Sequence, residues 1–151
     1  MAEFPARLVT PESVLLDEQV EAVMLRTGVG DATFLAEHAP LVGSLVPGLV
    51  RFVRAGGAVQ RVAVHGGFVH VESEGRVTVL PPTAELAEHI DVERARIALE
   101  AATAKLAELA AAGRVPGQSD DETTVSDVEV EEAVAARTRA EIRIDVAGGA
   151  G

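Results

Sequence analysis

Between Arg7 and Leu80 the apolar residues come in short runs, broken by Gly, Pro and acidic turns. Runs of this kind, rich in Val and Leu, read as strands. The segments are 7–10, 13–16, 22–26, 32–35, 41–45, 49–54, 59–64, 68–73 and 76–80. Turns are expected at 28–31, at Pro47-Gly48, at 55–57 and at Glu74-Gly75. Several runs alternate: Val77 and Val79 face one way, Arg76 and Thr78 the other. That is the pattern of a sheet with one buried and one wet face. No helical period interrupts them. Nine or so short strands in so few residues need two sheets packed face to face, or a flattened barrel.

The period changes after Pro81-Pro82, a pair that cannot donate to a strand ladder. From Asp91 to Ala112 there is no Gly or Pro. Ala95, Leu99, Ala102, Leu106 and Leu109 share one helix face. Asp91 is placed as the N-cap and Gly113 as the C-terminal stop. A polar stretch, 113–124, carries the acidic run Asp120-Asp121-Glu122 and is expected to be an exposed, mobile connection. Ser126 and Glu129 have capping-box spacing. They open a second helix, expected over 127–144, with Val130, Ala133, Val134, Ala136 and Ala140 turned inward. The chain thus divides into a β-sandwich over 1–84, a two-helix hairpin over 85–146 and a disordered tail over 147–151. The hairpin's stripes are largely Ala. An Ala buries little surface, at roughly 0.8 kcal/mol per buried CH₂, so docking of the two helices should be weak. A weakly docked hairpin can detach if a partner binds it better.

Composition narrows the function. Hydrophobic residues make up 48% of the 151, enough for a packed core, but aromatics only 3%, so Val, Leu, Ile and Ala must fill it. The net charge of -11 excludes a nucleic-acid partner, which demands a basic surface, and excludes docking on an anionic membrane face. There is no Cys, which removes disulfide, thiolate and Cys-zinc chemistry. No apolar run approaches the roughly 20 residues of a membrane helix, so no direct membrane insertion is expected. The opening residues hold no apolar signal core, which predicts a soluble, intracellular protein.

Candidate chemistry is sparse. Lys105, the one lysine, lies in a helix with no Gly-rich approach, so there is no phosphate loop of the Walker type. Gly28-Val29-Gly30 lacks the third Gly of a dinucleotide fingerprint and reads as a turn. His65-Gly66-Gly67 is shaped like an esterase oxyanion motif, but no G-x-S-x-G elbow accompanies it. Two glycines there fit a tight bend or close sheet packing. His38, His65, His70 and His89 have no partners at metal-ligand spacing, so no metal and no catalytic residues are expected. One cluster is more specific: Asp91 and Arg94 open the first helix, while Arg139 and Arg143 sit four apart on the second. A helix N-terminus with converging guanidinium groups suits a phosphate-bearing ligand. The alternative is an N-cap with surface arginines.

In order along the chain stand Leu8-Val9-Thr10-Pro11-Glu12, Gly30-Asp31, His38-Ala39-Pro40-Leu41, Val64-His65-Gly66-Gly67-Phe68 and Ile90-Asp91-x-x-Arg94-Ala95. On these segments the chain resembles the epsilon subunit of bacterial F-type ATP synthases, over residues 4 to about 144. The resemblance implies an N-terminal β-sandwich of about ten strands and a C-terminal helical hairpin. It implies a non-catalytic central-stalk subunit of the rotor, which couples proton-driven rotation of the c-ring to ATP synthesis. The sandwich would bind the gamma subunit and sit on the c-ring, at the cytoplasmic face of the cell membrane, peripheral to it. The hairpin would switch between a folded state and an extended one that inhibits ATP hydrolysis by the alpha/beta head. No cofactor is required, but in some members the folded hairpin binds regulatory ATP. Carried over, that site comprises Glu85, Ile90, Asp91, Arg94, Ala95, Arg139 and Arg143, with Arg94 either touching the ligand or only shaping the site.

Three departures qualify those implications. A further arginine of the ATP-binding members falls on Ala101, which points to low or absent affinity. A Gly-rich stretch before His-Ala-Pro is replaced by Thr33-Phe34-Leu35-Ala36-Glu37. The connection 113–124 is long and acidic, leaving Arg137, Arg139 and Arg143 to meet an acidic head. The competing reading is an unrelated β-sandwich interaction module with a helical tail.

Overall fold

A computed structural model describes residues 2–114 and 125–148. Ten strands run through the first unit: β1 (Phe4–Val9), β2 (Val14–Val20), β3 (Ala22–Thr27), β4 (Gly30–Phe34), β5 (Leu41–Ser44), β6 (Gly48–Val53), β7 (Val59–Val64), β8 (Phe68–Val71), β9 (Val77–Leu80) and β10 (Ala84–Leu86). They form two five-stranded sheets, ordered β2-β1-β9-β8-β5 and β10-β7-β6-β3-β4. All pairs are antiparallel except β1 with β9, which are parallel. The sandwich is one of the two expected solutions, and the barrel is not formed.

The inner faces meet in a single aliphatic core. Leu8, Val20, Phe34, Val50, Phe52, Val62, Val69 and Val79 are fully enclosed or nearly so. Each such side chain contributes about 2 kcal/mol relative to exposure. Among the described residues no polar or charged residue is buried, so no core side chain needs a hydrogen-bond partner.

Each of the nine runs read from the sequence overlaps a strand, with ends that differ by up to four residues. The tenth, β10, follows the two prolines and pairs with β7 through Ala84↔Val64, Glu85↔Ala63 and Leu86↔Val62. It carries the chain past the expected boundary at residue 84. The first compact unit closes at His89 and the second opens at Ile90. A short 3-10 turn, Ala87–His89, completes the first.

The second unit holds α1 (Val92–Ala111) and α2 (Val125–Gly148). Asp91 caps α1: its Oδ1 accepts the Arg94 amide at 3.0 Å. The C-terminal end closes with the Gly113 amide on the Ala110 carbonyl and the Arg114 amide on that of Leu109. This paired pattern needs a left-handed residue after the cap, and Gly113 supplies it at φ +79. Ala95, Ala102 and Leu109 are buried along the expected face. Leu109 packs with Val130 and Ala133, with Leu106 and Val134 at the margin. The helices are therefore fastened by larger aliphatics at this end, not by Ala alone.

α2 extends beyond the expected 127–144. Val146 is fully buried, and helix continues through Ala147 and Gly148. Those two residues correct the expected tail, whose remainder, 149–151, lies outside the described residues. So do the acidic run and most of the expected mobile connection. The capping-box expectation fares differently. Helix already begins at Val125, which puts Ser126 inside it and not at its cap.

Candidate functional site

The pleat of the first sheet decides which residues face outward. Val69, Val71, Val77 and Val79 point into the core and are buried. Their neighbours Phe68, His70, Thr78 and Leu80 therefore face out. Register aligns Ser44 with Phe68 and Phe68 with Leu80 across three strands. Val42 aligns with His70, and His70 with Thr78. The outer face is mixed: Phe68 and Leu80 adjoin in one row, and Val42 lies beside polar His70 in the next. Val42 is 71% exposed, Phe68 57% and Leu80 40%.

Beside Phe68 and Leu80 lies an open depression of about 580 Å³, lined by Val9, Pro11, Gly67 and Pro82. Three of the four Phe in the chain, Phe4, Phe34 and Phe52, are buried. Phe68 alone stands in solvent. Exposed apolar side chains gathered around such a depression are the kind of patch that serves as an interaction surface. Farther along the same sheet the face turns polar, where Arg7 Nε pairs with Asp17 Oδ2 at 3.2 Å.

Gly66 and Gly67 set this surface. Both have positive φ, +90 and +104. A Cβ on Gly67 would run into the Leu80 carbonyl oxygen and lie 2.6 Å from Pro81 Cα. The Gly67 carbonyl also accepts the Leu45 amide at 2.8 Å. The His65-Gly66-Gly67 motif is thus a close-packed bend, as its glycines suggested.

The residues expected to form a phosphate site fall in both units. Glu85 sits half-buried on β10, opposite Ala63, in the sandwich. Ile90, Asp91, Arg94, Ala95, Arg139 and Arg143 belong to the helical unit. Ile90 and Ala95 are buried and act as packing residues. The Asp91 carboxylate already occupies an orphan amide at the α1 N-terminus, and Arg94 itself is exposed. A phosphate approaching that terminus would meet this negative charge first. Arg139 Nη2 is drawn to Glu132 Oε1 at 2.9 Å. Arg143 lies one turn farther along the same helix, half-buried. Ala101 is exposed and offers no charge. Among the described residues no group of three or more His, Asp or Glu could hold a metal ion.

Two other features lie on the sandwich. At the β3–β4 turn Arg26 grips Asp31 with two bonds, Nε–Oδ1 at 2.7 Å and Nη2–Oδ2 at 3.3 Å. That hydrogen bonding, reinforced by the guanidinium charge, holds the Asp31 carboxyl below its usual range and raises Arg26. The rings of His38 and buried Phe34 meet nearly perpendicular, with centroids 4.9 Å apart. Its Nδ1 lies 2.8 Å from the Ala39 carbonyl oxygen. Glu37 before it adopts φ 62, a strained value for a side-chain-bearing residue.

The apolar patch on the outer face is what sequence reasoning missed. Phe68 and Leu80 carry no pattern that separates them from core, since both sit in apolar runs. The available signal was pleat parity: each lies an odd number of positions from a buried Val.

The comparisons with known proteins agree with one another. A family model, the β-sandwich domain of the ATP synthase delta/epsilon chain, matches residues 3–87. An ATP synthase epsilon chain of Symbiobacterium thermophilum is 46% identical over 107 residues, covering 70% of this chain and 76% of that one. One from Desulfitobacterium hafniense is 42% identical over 103 residues, covering 68% and 76%. Among solved structures, a chain of the Euglena gracilis mitochondrial ATP synthase, in an OSCP/F1/c-ring assembly, superposes with a TM-score of 0.64. It is 30% identical and covers 98% of this chain and 79% of its own length. A chain of the Tetrahymena thermophila central stalk and c-ring shares the fold, with a TM-score of 0.57 at 11% identity, covering 95% of each.

Proposed function

The chain belongs to the epsilon-chain family of F-type ATP synthases, and from that membership we propose that its sandwich docks on the gamma subunit through the outer face around Phe68 and Leu80. As an epsilon chain it is a non-catalytic subunit of the central stalk. The observation that carries the docking surface is the exposed apolar row, with Val42 beside it. Burying those side chains against a partner recovers about 25 cal/mol per Å² of apolar surface. The charged row at Arg7 and Asp17 gives the contact a polar rim.

In this reading the sandwich rests on the c-ring and passes its rotation to gamma. No described helix is long and apolar enough to cross a membrane. Those partners would hold the chain at the cytoplasmic face of the cell membrane. The helical unit acts as a regulatory arm, folded in one state and extended toward the alpha/beta head in another. Regulatory ATP would engage Arg139 and Arg143, but Glu132 and Ala101 argue for weak affinity.

The test is association of the full chain with purified gamma subunit, followed by calorimetry. Tight binding is expected, and absence of binding would overturn the reading. The regulatory arm is tested separately, by ATP hydrolysis of the reconstituted head with the full chain or with a chain ending at His89. A faster rate with the shortened chain identifies an inhibitory arm. Equal rates, with gamma binding retained, remove inhibition from the proposal.

A further inference from the structure

β10 is a three-residue edge strand with one neighbour, β7. The turn that follows it, Ala87–His89, has no buried residue. So little backbone pairing and so little burial would leave this segment among the first to open. A side-chain chain compensates. Arg54 Nε donates to Glu18 Oε1 at 2.8 Å, tying the end of β6 to β2 in the opposite sheet. Arg54 Nη2 donates to Gln60 Oε1 at 3.3 Å. Gln60 Nε2 then donates to Glu88 Oε2 at 2.8 Å. The Gln60 amide is spent in both directions: its oxygen accepts from the guanidinium, and its nitrogen donates to the Glu88 carboxylate and, at 3.3 Å, to the Arg61 carbonyl, which together fix its orientation. Glu88 also takes its own backbone amide, and the two bonds together hold its carboxyl below the usual range. It therefore stays an ionised acceptor.

We infer that Gln60 is a positioning residue, whose link from Arg54 to Glu88 pins residues 84–89 to the sandwich and sets the pivot of the helical arm at His89–Ile90. Both sheets share in the anchorage, because Glu18 lies in one and Gln60 in the other. A pull on the arm is then borne by the linked side chains before it reaches the three backbone pairs of β10. This inference rests on the reading that the arm moves, but the anchor itself does not require that motion.

The experiment is amide hydrogen exchange on the full chain, comparing wild type with Gln60→Ala, Glu88→Ala and Glu88→Gln. A hydrogen bond to a charged group protects its segment by about tenfold or more. Gln60→Ala and Glu88→Ala are expected to speed exchange across residues 84–89 by about that factor, together with the β7 amides that pair with β10, leaving β6 and both helices unchanged. Glu88→Gln keeps an acceptor and should lie between these and wild type. Unchanged exchange at 84–89 in both Ala variants overturns the inference. So does an increase spread evenly over β6 and β7, which marks general loosening. Glu88 is exposed, so Glu88→Ala remains informative if Gln60→Ala fails to fold. Spin labels on the arm of the wild-type chain report separately whether the arm moves. A stationary arm removes the switching proposal and the pivot, whereas protection lost only at 84–89 and its β7 partners still establishes the anchor.

Discussion

Gly67 approaches Leu80 so closely that a Cβ on the glycine would enter the Leu80 carbonyl oxygen and crowd Pro81 Cα at 2.6 Å. Both obstacles are backbone, so neither can swing aside. The positive φ adds strain for any residue with a side chain. Gly67→Ala is therefore expected to destabilise the sandwich by about 3 kcal/mol or more, read by urea unfolding. A change under about 0.5 kcal/mol would show that the bend relaxes freely.

Phe68 illustrates the opposite case, a large side chain whose loss the fold should tolerate. Phe68→Ser is expected to shift unfolding by no more than about 1 kcal/mol, because Phe68 is more than half exposed. Its affinity for the gamma subunit should fall at least tenfold, the loss typical of a central interface aromatic at about 2 kcal/mol. Titration calorimetry separates the two effects. Unaltered affinity would move the docking surface away from this face.

Arg114 and Glu129 join the end of α1 to α2 at 2.8 Å, next to the Leu109–Val130 contact. Both side chains are about half exposed, so solvent screens the pair. A double-mutant cycle with Arg114→Ala and Glu129→Ala should give a coupling of about 0.2–1 kcal/mol, weakening with added salt. A coupling of zero would leave the aliphatic contact as the fastening at that end.

Arg139 offers a test of nucleotide sensing. Arg139→Ala and Arg143→Ala are each expected to weaken ATP binding to the isolated chain, whereas Glu132→Gln should strengthen it by releasing Arg139. Binding is followed by calorimetry up to millimolar ATP. No heat in any form would remove ATP from the regulation of this chain.

Acid should unlock the β3–β4 turn. The Asp31 carboxyl is depressed by its bonds to Arg26, so it binds its proton less readily in the folded state than in the unfolded one. The stabilisation is present above the ordinary carboxylate pKa, about 3.9, and is lost as pH falls through the lower folded value. NMR titration should show Asp31 titrating low in the wild type and returning toward its ordinary range in Arg26→Ala. Identical titration in both would contradict the pairing.

The strands were legible because one face of each is buried, which writes an alternation such as Val77-Thr78-Val79 into the chain. β10 was not, because Ala84-Glu85-Leu86 is too short to show a period and follows two prolines. β2 runs past the expected end at Leu16 to Val20, because Asp17 and Gln19 are outward positions whose polarity hides the strand. Asp91 and Gly113 were readable as helix ends because capping depends on local chemistry alone. The apolar patch at Phe68 was hidden for the converse reason. Core and docking surface select the same residue types, and only the register of β5, β8 and β9 distinguishes them.

The parallel pairing of β1 with β9 has a consequence for synthesis. Ala6 meets Val77, and Leu8 meets Val79, so the first strand of the chain needs a neighbour made some seventy residues later. Closing so long a loop is slow, and sheets built on distant pairings fold slowly. On the ribosome β1 and β2 can pair as a hairpin, but their other edge stays open until β9 emerges. The arm, by contrast, joins helices that are consecutive in sequence and can close soon after α2 emerges. Within this chain β1 is therefore completed late, and its edge toward β9 stays unpaired until then.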